Sequence, residues 1–90
     1  MSSFMVVSTF RPGTDMAEVM QVVAEEQAKV GELKAAGQIG AIYLSTVTRG
    51  TVFLEIFADD EASALDIVTS LPMAKWWDID VFPINIPVQR

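Results

Sequence analysis

Three features of this 90-residue sequence predict a single α+β domain. Runs of β-branched and aromatic residues alternate with two stretches of helical periodicity, in the order β-α-β-β-α-β. Turn and stop residues fall between those runs, at Arg11-Pro12-Gly13, Gly37, Thr48-Arg49-Gly50 and Pro72. The length leaves room for one domain, since domains span roughly 100–200 residues.

Each element has its own signal. Phe4-Met5-Val6-Val7-Ser8-Thr9-Phe10 reads as a first strand closed by a Pro-Gly turn. Asp15 is placed to cap a helix, with Glu18 as its capping-box partner three residues on. That helix is predicted over 15–36, with the apolar stripe Met16, Val19, Met20, Val23, Val30 and Leu33, and Gly37 as its stop. Gly31 weakens its interior by about 1 kcal/mol relative to Ala. A second strand is expected over 39–47, then a hairpin at Thr48-Arg49-Gly50, then the strongest strand, Thr51 to Phe57. Asp59-Asp60-Glu61 gives an acidic start to a second helix, favourable to the helix dipole, with the stripe Ala64, Leu65, Val68 and Leu71. A last strand follows over 78–84. Residues 85–90 are expected to form an extended tail, because Pro83 and Pro87 oppose helix.

This order is that of the ferredoxin-like split βαβ arrangement: a four-stranded antiparallel sheet with two helices on one face. A sheet with one solvated face alternates apolar and polar residues. These strands do not, since Phe4-Met5-Val6-Val7 and Val52-Phe53-Leu54 run without a polar break. The helices cover one face only. A second copy of the chain is the simplest cover for the other, giving a dimeric α+β barrel, as a homodimer or a larger homo-oligomer.

Composition removes whole classes of function. There is no Cys and no His, so disulfides, thiol nucleophiles, Cys/His zinc sites and His-based triads are excluded. Six Lys+Arg against twelve Asp+Glu give a net charge of −6, which opposes nucleic-acid binding. No run is long enough to span a bilayer, and the N-terminus lacks the pattern of a signal peptide, so no membrane partner and a cytoplasmic location are expected. Asp59-Asp60-Glu61 is better explained by capping than by metal, and no calcium loop or glycine-rich phosphate loop occurs. No metal or cofactor is expected.

Glu26 is the most informative residue. It falls between Val23 and Val30, where the helical stripe asks for an apolar side chain. Burial there would raise its pKa and make it a usable acid or base near neutral pH. The competing reading is a slightly rotated helix that lets Glu26 reach solvent. Glu55 is the one charge in its strand; it is either a second acid facing the site or an edge charge paired with Arg49 or Arg11. Tyr43, between Ala41 and Ser45 on its strand face, offers one phenol in apolar surroundings, or is simply a core residue. Trp76 and Trp77 suit the wall of a small-molecule pocket, or are packing anchors.

Two segments resemble a known family. Leu71-Pro72-Met73-Ala74-Lys75-Trp76-Trp77-Asp78-Ile79-Asp80-Val81 is similar to the Leu-Pro, apolar insert, Asp-Ile-acid-Val ending of the muconolactone isomerase-like proteins. Ala24-Glu25-Glu26, about ten residues before Gly37, resembles the same family's helix Glu. The resemblance implies a dimeric α+β barrel and a cofactor-independent isomerase that moves a double bond in an unsaturated lactone. It assigns proton transfer to Glu26 and matches Tyr43 to the aromatic of the second strand. Trp76, Trp77, Glu55 and Arg49 are the expected substrate-binding residues. Leu44 stands where the family places a basic residue, which leaves Arg11, Arg49 or Lys75 to meet a substrate carboxylate. A polyketide-like or aromatic substrate for a cofactor-free oxygenase or cyclase, and a non-catalytic binding or assembly module, are the alternatives.

Overall fold

The computed structural model describes residues 2–45 and 50–85. Four strands, β1 (Ser2–Phe10), β2 (Ile39–Ser45), β3 (Thr51–Ala58) and β4 (Trp77–Ile84), form one antiparallel sheet in the order β2-β3-β1-β4. Three helices, α1 (Met16–Gln21), α2 (Val23–Ala35) and α3 (Glu61–Thr69), pack on one face, with a 3-10 helix at Pro72–Trp76. This is the ferredoxin-like arrangement that the element order predicts.

Local chemistry sets the boundaries. Pro12 and Gly13 (φ 84°) form the turn after β1, and the Thr14 N–H bonds the Arg11 carbonyl at 3.1 Å. Asp15 caps α1 by accepting the Ala17 N–H at 2.9 Å. Gly37 (φ 75°) ends α2 in a Schellman motif, with Gln38 N–H on the Leu33 carbonyl and Gly37 N–H on the Lys34 carbonyl. Asp60 caps α3 through the Ser63 N–H at 2.8 Å, and this hydrogen bond holds its carboxyl below the usual range.

The structure corrects the expected extent of the first helix. The first helix is not continuous over 15–36 but breaks at Val22, whose φ of −106° and ψ of 8° leave the helical region. Two adjacent β-branched residues, Val22 and Val23, meet there, where helix propensity is low. The apolar stripe runs across the break, which is why periodicity alone misses it.

Register separates the two sheet faces. Phe4, Val6, Ser8, Leu54, Ile56 and Ala58 point toward the helices and are buried. They join Leu33, Ala64, Val68, Leu71 and Trp77 in the core. Each such fully buried aliphatic side chain contributes about 1.5–3 kcal/mol. Leu65, expected on the inner stripe of α3, is instead exposed. The opposite, open face carries Met5, Val7, Phe53, Phe57, Tyr43 and Phe82, with Glu55, Asp78 and Asp80 among them. Tyr43 and Phe82 are 61% and 51% exposed. No helix of the described residues is long and apolar enough to cross a membrane.

Candidate active-site cleft

A cleft of about 460 Å³ opens between the helices and the β2–β3 end of the sheet. α1 supplies Met16, Val19 and Met20; α2 supplies Val23, Glu26, Gln27 and Val30. The sheet supplies Phe10, Ile42, Leu44, Val52, Leu54 and Trp77, and Met73 closes one side from the 3-10 helix. Met16, Met20 and Leu44 are each about half or more exposed, at 49%, 65% and 67%. A stripe that reads as core in the sequence thus lines an open apolar cleft at its N-terminal end.

Glu26 is the only acid among these lining residues, and no Lys or Arg of the described residues joins it. The Met73 N–H donates to Glu26 Oε1 at 2.9 Å. Pro72 opens the 3-10 helix without an N–H, so Met73 carries its first free donor and Glu26 satisfies it. Among the described residues Oε2 has no hydrogen-bond partner, so one carboxylate oxygen is anchored and the other is available. Desolvation by burial pushes the Glu26 carboxyl above its ordinary value, and the Met73 hydrogen bond partly opposes that. Such a carboxyl suits proton transfer near neutral pH.

The other expected site residues divide sharply. Trp77 lines the cleft and is 2% exposed, and its Nε1 is buried without a partner among the described residues. Its edge-on packing against Phe10, with ring centroids 6.0 Å apart, fixes the indole. Trp76 stays outside, half-buried, with Lys75 Nζ 4.5 Å from its ring centre. Tyr43 sits on the open face, across the sheet from Glu26, so within one chain the two do not share a site.

Glu55 is also on the open face. Its Oε1 accepts the Ala41 N–H at 3.0 Å, where β2 is irregular between Ile39 and Ile42. Glu55 therefore braces a bulge and does not join the cleft. Arg49 lies outside the described residues. Arg11 is engaged elsewhere, with Asp78 at 3.2 Å and the Lys75 carbonyl at 2.6 Å. The Met73 backbone donor and Gln27 were not singled out by sequence; only the position of Gln27 next to Glu26 pointed to it.

The fold and the cleft define a ferredoxin-like α+β domain with, among the described residues, a single acid in a largely apolar site. The chain belongs to the muconolactone delta-isomerase family, whose model matches residues 3–87. No curated protein matches the sequence. Among solved structures, the chain is similar to 5-chloro-2-hydroxyhydroquinone dehydrochlorinase from Burkholderia phenoliruptrix AC1100, solved with 2,5-dihydroxybenzoquinone. That match has a TM-score of 0.71 at 20% identity and covers 92% of this chain and 93% of that one. At this identity the likeness speaks for the fold.

Proposed function

We propose that the protein is a cofactor-independent isomerase that shifts a double bond in an unsaturated lactone or a related small carbonyl compound. One observation carries this reading: a carboxylate with one anchored oxygen and a raised pKa, set in a cleft whose other described lining residues, Gln27 apart, are apolar or aromatic. Glu26 takes a proton from a carbon next to the conjugated system, and the C–H electron pair spreads toward the carbonyl oxygen. Returning the proton to a different carbon completes the shift and regenerates the carboxylate, with no net redox change. General acid–base catalysis of this kind is worth roughly 10²–10⁴-fold in rate. Membership of the muconolactone delta-isomerase family supports the assignment.

The test is a panel of β,γ-unsaturated lactones, followed by ultraviolet absorbance as the conjugated isomer forms. Turnover by the wild type and its loss in Glu26→Gln support the reading. Equal turnover by both proteins removes Glu26 from the mechanism.

The open sheet face supports a second part of the proposal: two copies pack these faces together as a dimeric barrel. Phe53, Phe57, Tyr43, Phe82, Met5 and Val7 form an apolar surface there with no helix over it. In such a dimer any role for Tyr43 in catalysis would be exercised from that interface.

A further inference from the structure

Arg11 ties together two parts of the chain that lie far apart in sequence. Its backbone is fixed in the turn after β1, where its carbonyl accepts from the Thr14 N–H at 3.1 Å and from the Thr14 hydroxyl at 2.6 Å. Its own N–H donates to the Trp76 carbonyl at 2.9 Å. From there the guanidinium reaches the last residues of the 3-10 helix and the start of β4. Nη1 donates to the Lys75 carbonyl at 2.6 Å, and Nε to Asp78 Oδ1 at 3.2 Å. The ion pair with Asp78 is exposed on both sides, and such pairs contribute little to stability. The bond to the Lys75 carbonyl is different in kind. It is charge-assisted, and it holds a short helix whose other end meets Glu26.

That helix is the link. Leu71, just before it, and Ala74 are buried and seat it on the core. Apolar contacts are non-directional, so they set its depth better than its orientation. Among the described residues two side chains hydrogen-bond its backbone. Glu26 takes the Met73 N–H at the start, and Arg11 gives to the Lys75 carbonyl at the end. With a rise of about 2 Å per residue, the two contacts lie within one turn, so a tilt at one is felt at the other. The Met73 bond weakens steeply as its N–H loses alignment.

We propose that Arg11 is a positioning residue for Glu26: by holding the Lys75 end of the 3-10 helix, it keeps the Met73 N–H aimed at Glu26 Oε1 and so fixes the carboxylate at the cleft. This deepens the isomerase reading and rests on it only for the proton-transfer role of Glu26. Arg11 does not line the cleft, so its influence on the carboxyl runs either through the helix or through its charge. Loosening the Met73 bond weakens the interaction that opposes desolvation at Glu26.

The experiment separates the two routes and uses no substrate. Arg11→Met keeps the aliphatic stem and removes the charge and the donors of an exposed side chain. Wild type and variant are compared at about 1 M NaCl, where the Debye length is about 3 Å and the field of an exposed charge is screened. The Glu26 carboxyl carbon is titrated by NMR. Amide hydrogen exchange is followed at Met73 and at Ala41, whose N–H is held in the same way by Glu55. In Arg11→Met the Glu26 pKa should rise by about half a pH unit and Met73 should exchange about threefold faster, while Ala41 keeps its wild-type rate. In the wild type the Met73 amide signal should titrate together with the Glu26 carboxyl. An unchanged Glu26 pKa at high salt, an acceleration shared equally by Ala41, or a wild-type Met73 signal that ignores the Glu26 titration each overturns the inference and leaves the isomerase reading intact. If the expected shifts appear but no lactone is turned over, the isomerase reading falls and the positioning of Glu26 by Arg11 stands.

Discussion

Glu26 and Glu55 each accept one backbone hydrogen bond, at 2.9 Å from Met73 and at 3.0 Å from Ala41. Both interrupt an apolar pattern, and both face apolar neighbours. Their surroundings differ in one respect that decides what each can do. Glu26 borders open volume, between helices and sheet, where a ligand can reach its second oxygen. Glu55 lies against Gly40, so closely that a Cβ at that position would collide with its Oε1 and come within 2.9 Å of Phe57. A lone acid in an apolar run is therefore a chemical group where space adjoins it and a backbone brace where the chain packs onto it.

The largest effect expected from this contrast is on activity. Glu26→Gln should lose roughly 10²–10⁴-fold in turnover, the usual scale for a general acid–base group. Glu55→Gln keeps an acceptor for Ala41 and should stay within about twofold of wild type in the same lactone assay, since it weakens one backbone hydrogen bond away from the cleft. A comparable loss in Glu55→Gln would break the contrast.

Stability should show the reverse. Gly40→Ala forces its new methyl against Glu55 and Phe57 and should cost about 1–3 kcal/mol, the usual range for overpacking. In a domain of this size each 1 kcal/mol lowers Tm by roughly 4–8 °C. Glu55→Ala leaves the Ala41 N–H without its acceptor and should also lower Tm. Combining the two substitutions should cost less than their sum, because removing Glu55 clears the space the methyl needs. Strict additivity in thermal denaturation would show that the two residues are not in contact.

Glu26 predicts a smaller, pH-dependent effect. Burial raises its folded pKa above the ordinary carboxylate value. The folded state therefore holds that proton more tightly than the unfolded chain does. The resulting stabilisation is fully present below the unfolded pKa and is lost as pH rises through the folded pKa. Glu26→Gln cannot ionise but still offers a carbonyl to Met73. Its stability should vary less across that window, and at neutral pH it should be at least as stable as wild type. Urea melts at several pH values measure this, and a Glu26→Gln protein clearly less stable at neutral pH would contradict it.

The two sheet faces extend the contrast to assembly. Phe53→Asp places a charge at the centre of the open apolar face and should shift a dimer toward monomer in light scattering, with the Glu26 cleft intact. A wild-type mass near that of the 9.9 kDa chain would remove the proposed barrel.

Much of this was readable in the residues themselves. Asp15, Asp60 and Gly37 mark their helix ends by local chemistry that tertiary packing does not override. Glu26 stood out because a 3.6-residue period leaves no doubt about which face it shares with Val23 and Val30. Which of Trp76 and Trp77 faces inward was not readable, because the last strand, expected from Asp78, in fact begins at Trp77. The face of Glu55 was not readable, since a strand with apolar residues on both sides gives parity without direction. Nor was the separation of Tyr43 from Glu26, which depends on which side of the sheet the helices cover. The break at Val22 was hidden because its stripe continues, and the brace at Gly40 because a bulge is a pairing event between distant segments.

In the proposed reaction the Glu26 carboxyl carries the proton. Its most direct test follows kcat/KM for a neutral β,γ-unsaturated lactone against pH while the Glu26 side-chain carboxyl carbon is titrated by NMR. One pKa is expected in both curves, above the ordinary carboxylate value, with activity rising as the carboxyl ionises. A rate that does not change as the Glu26 signal titrates would contradict it.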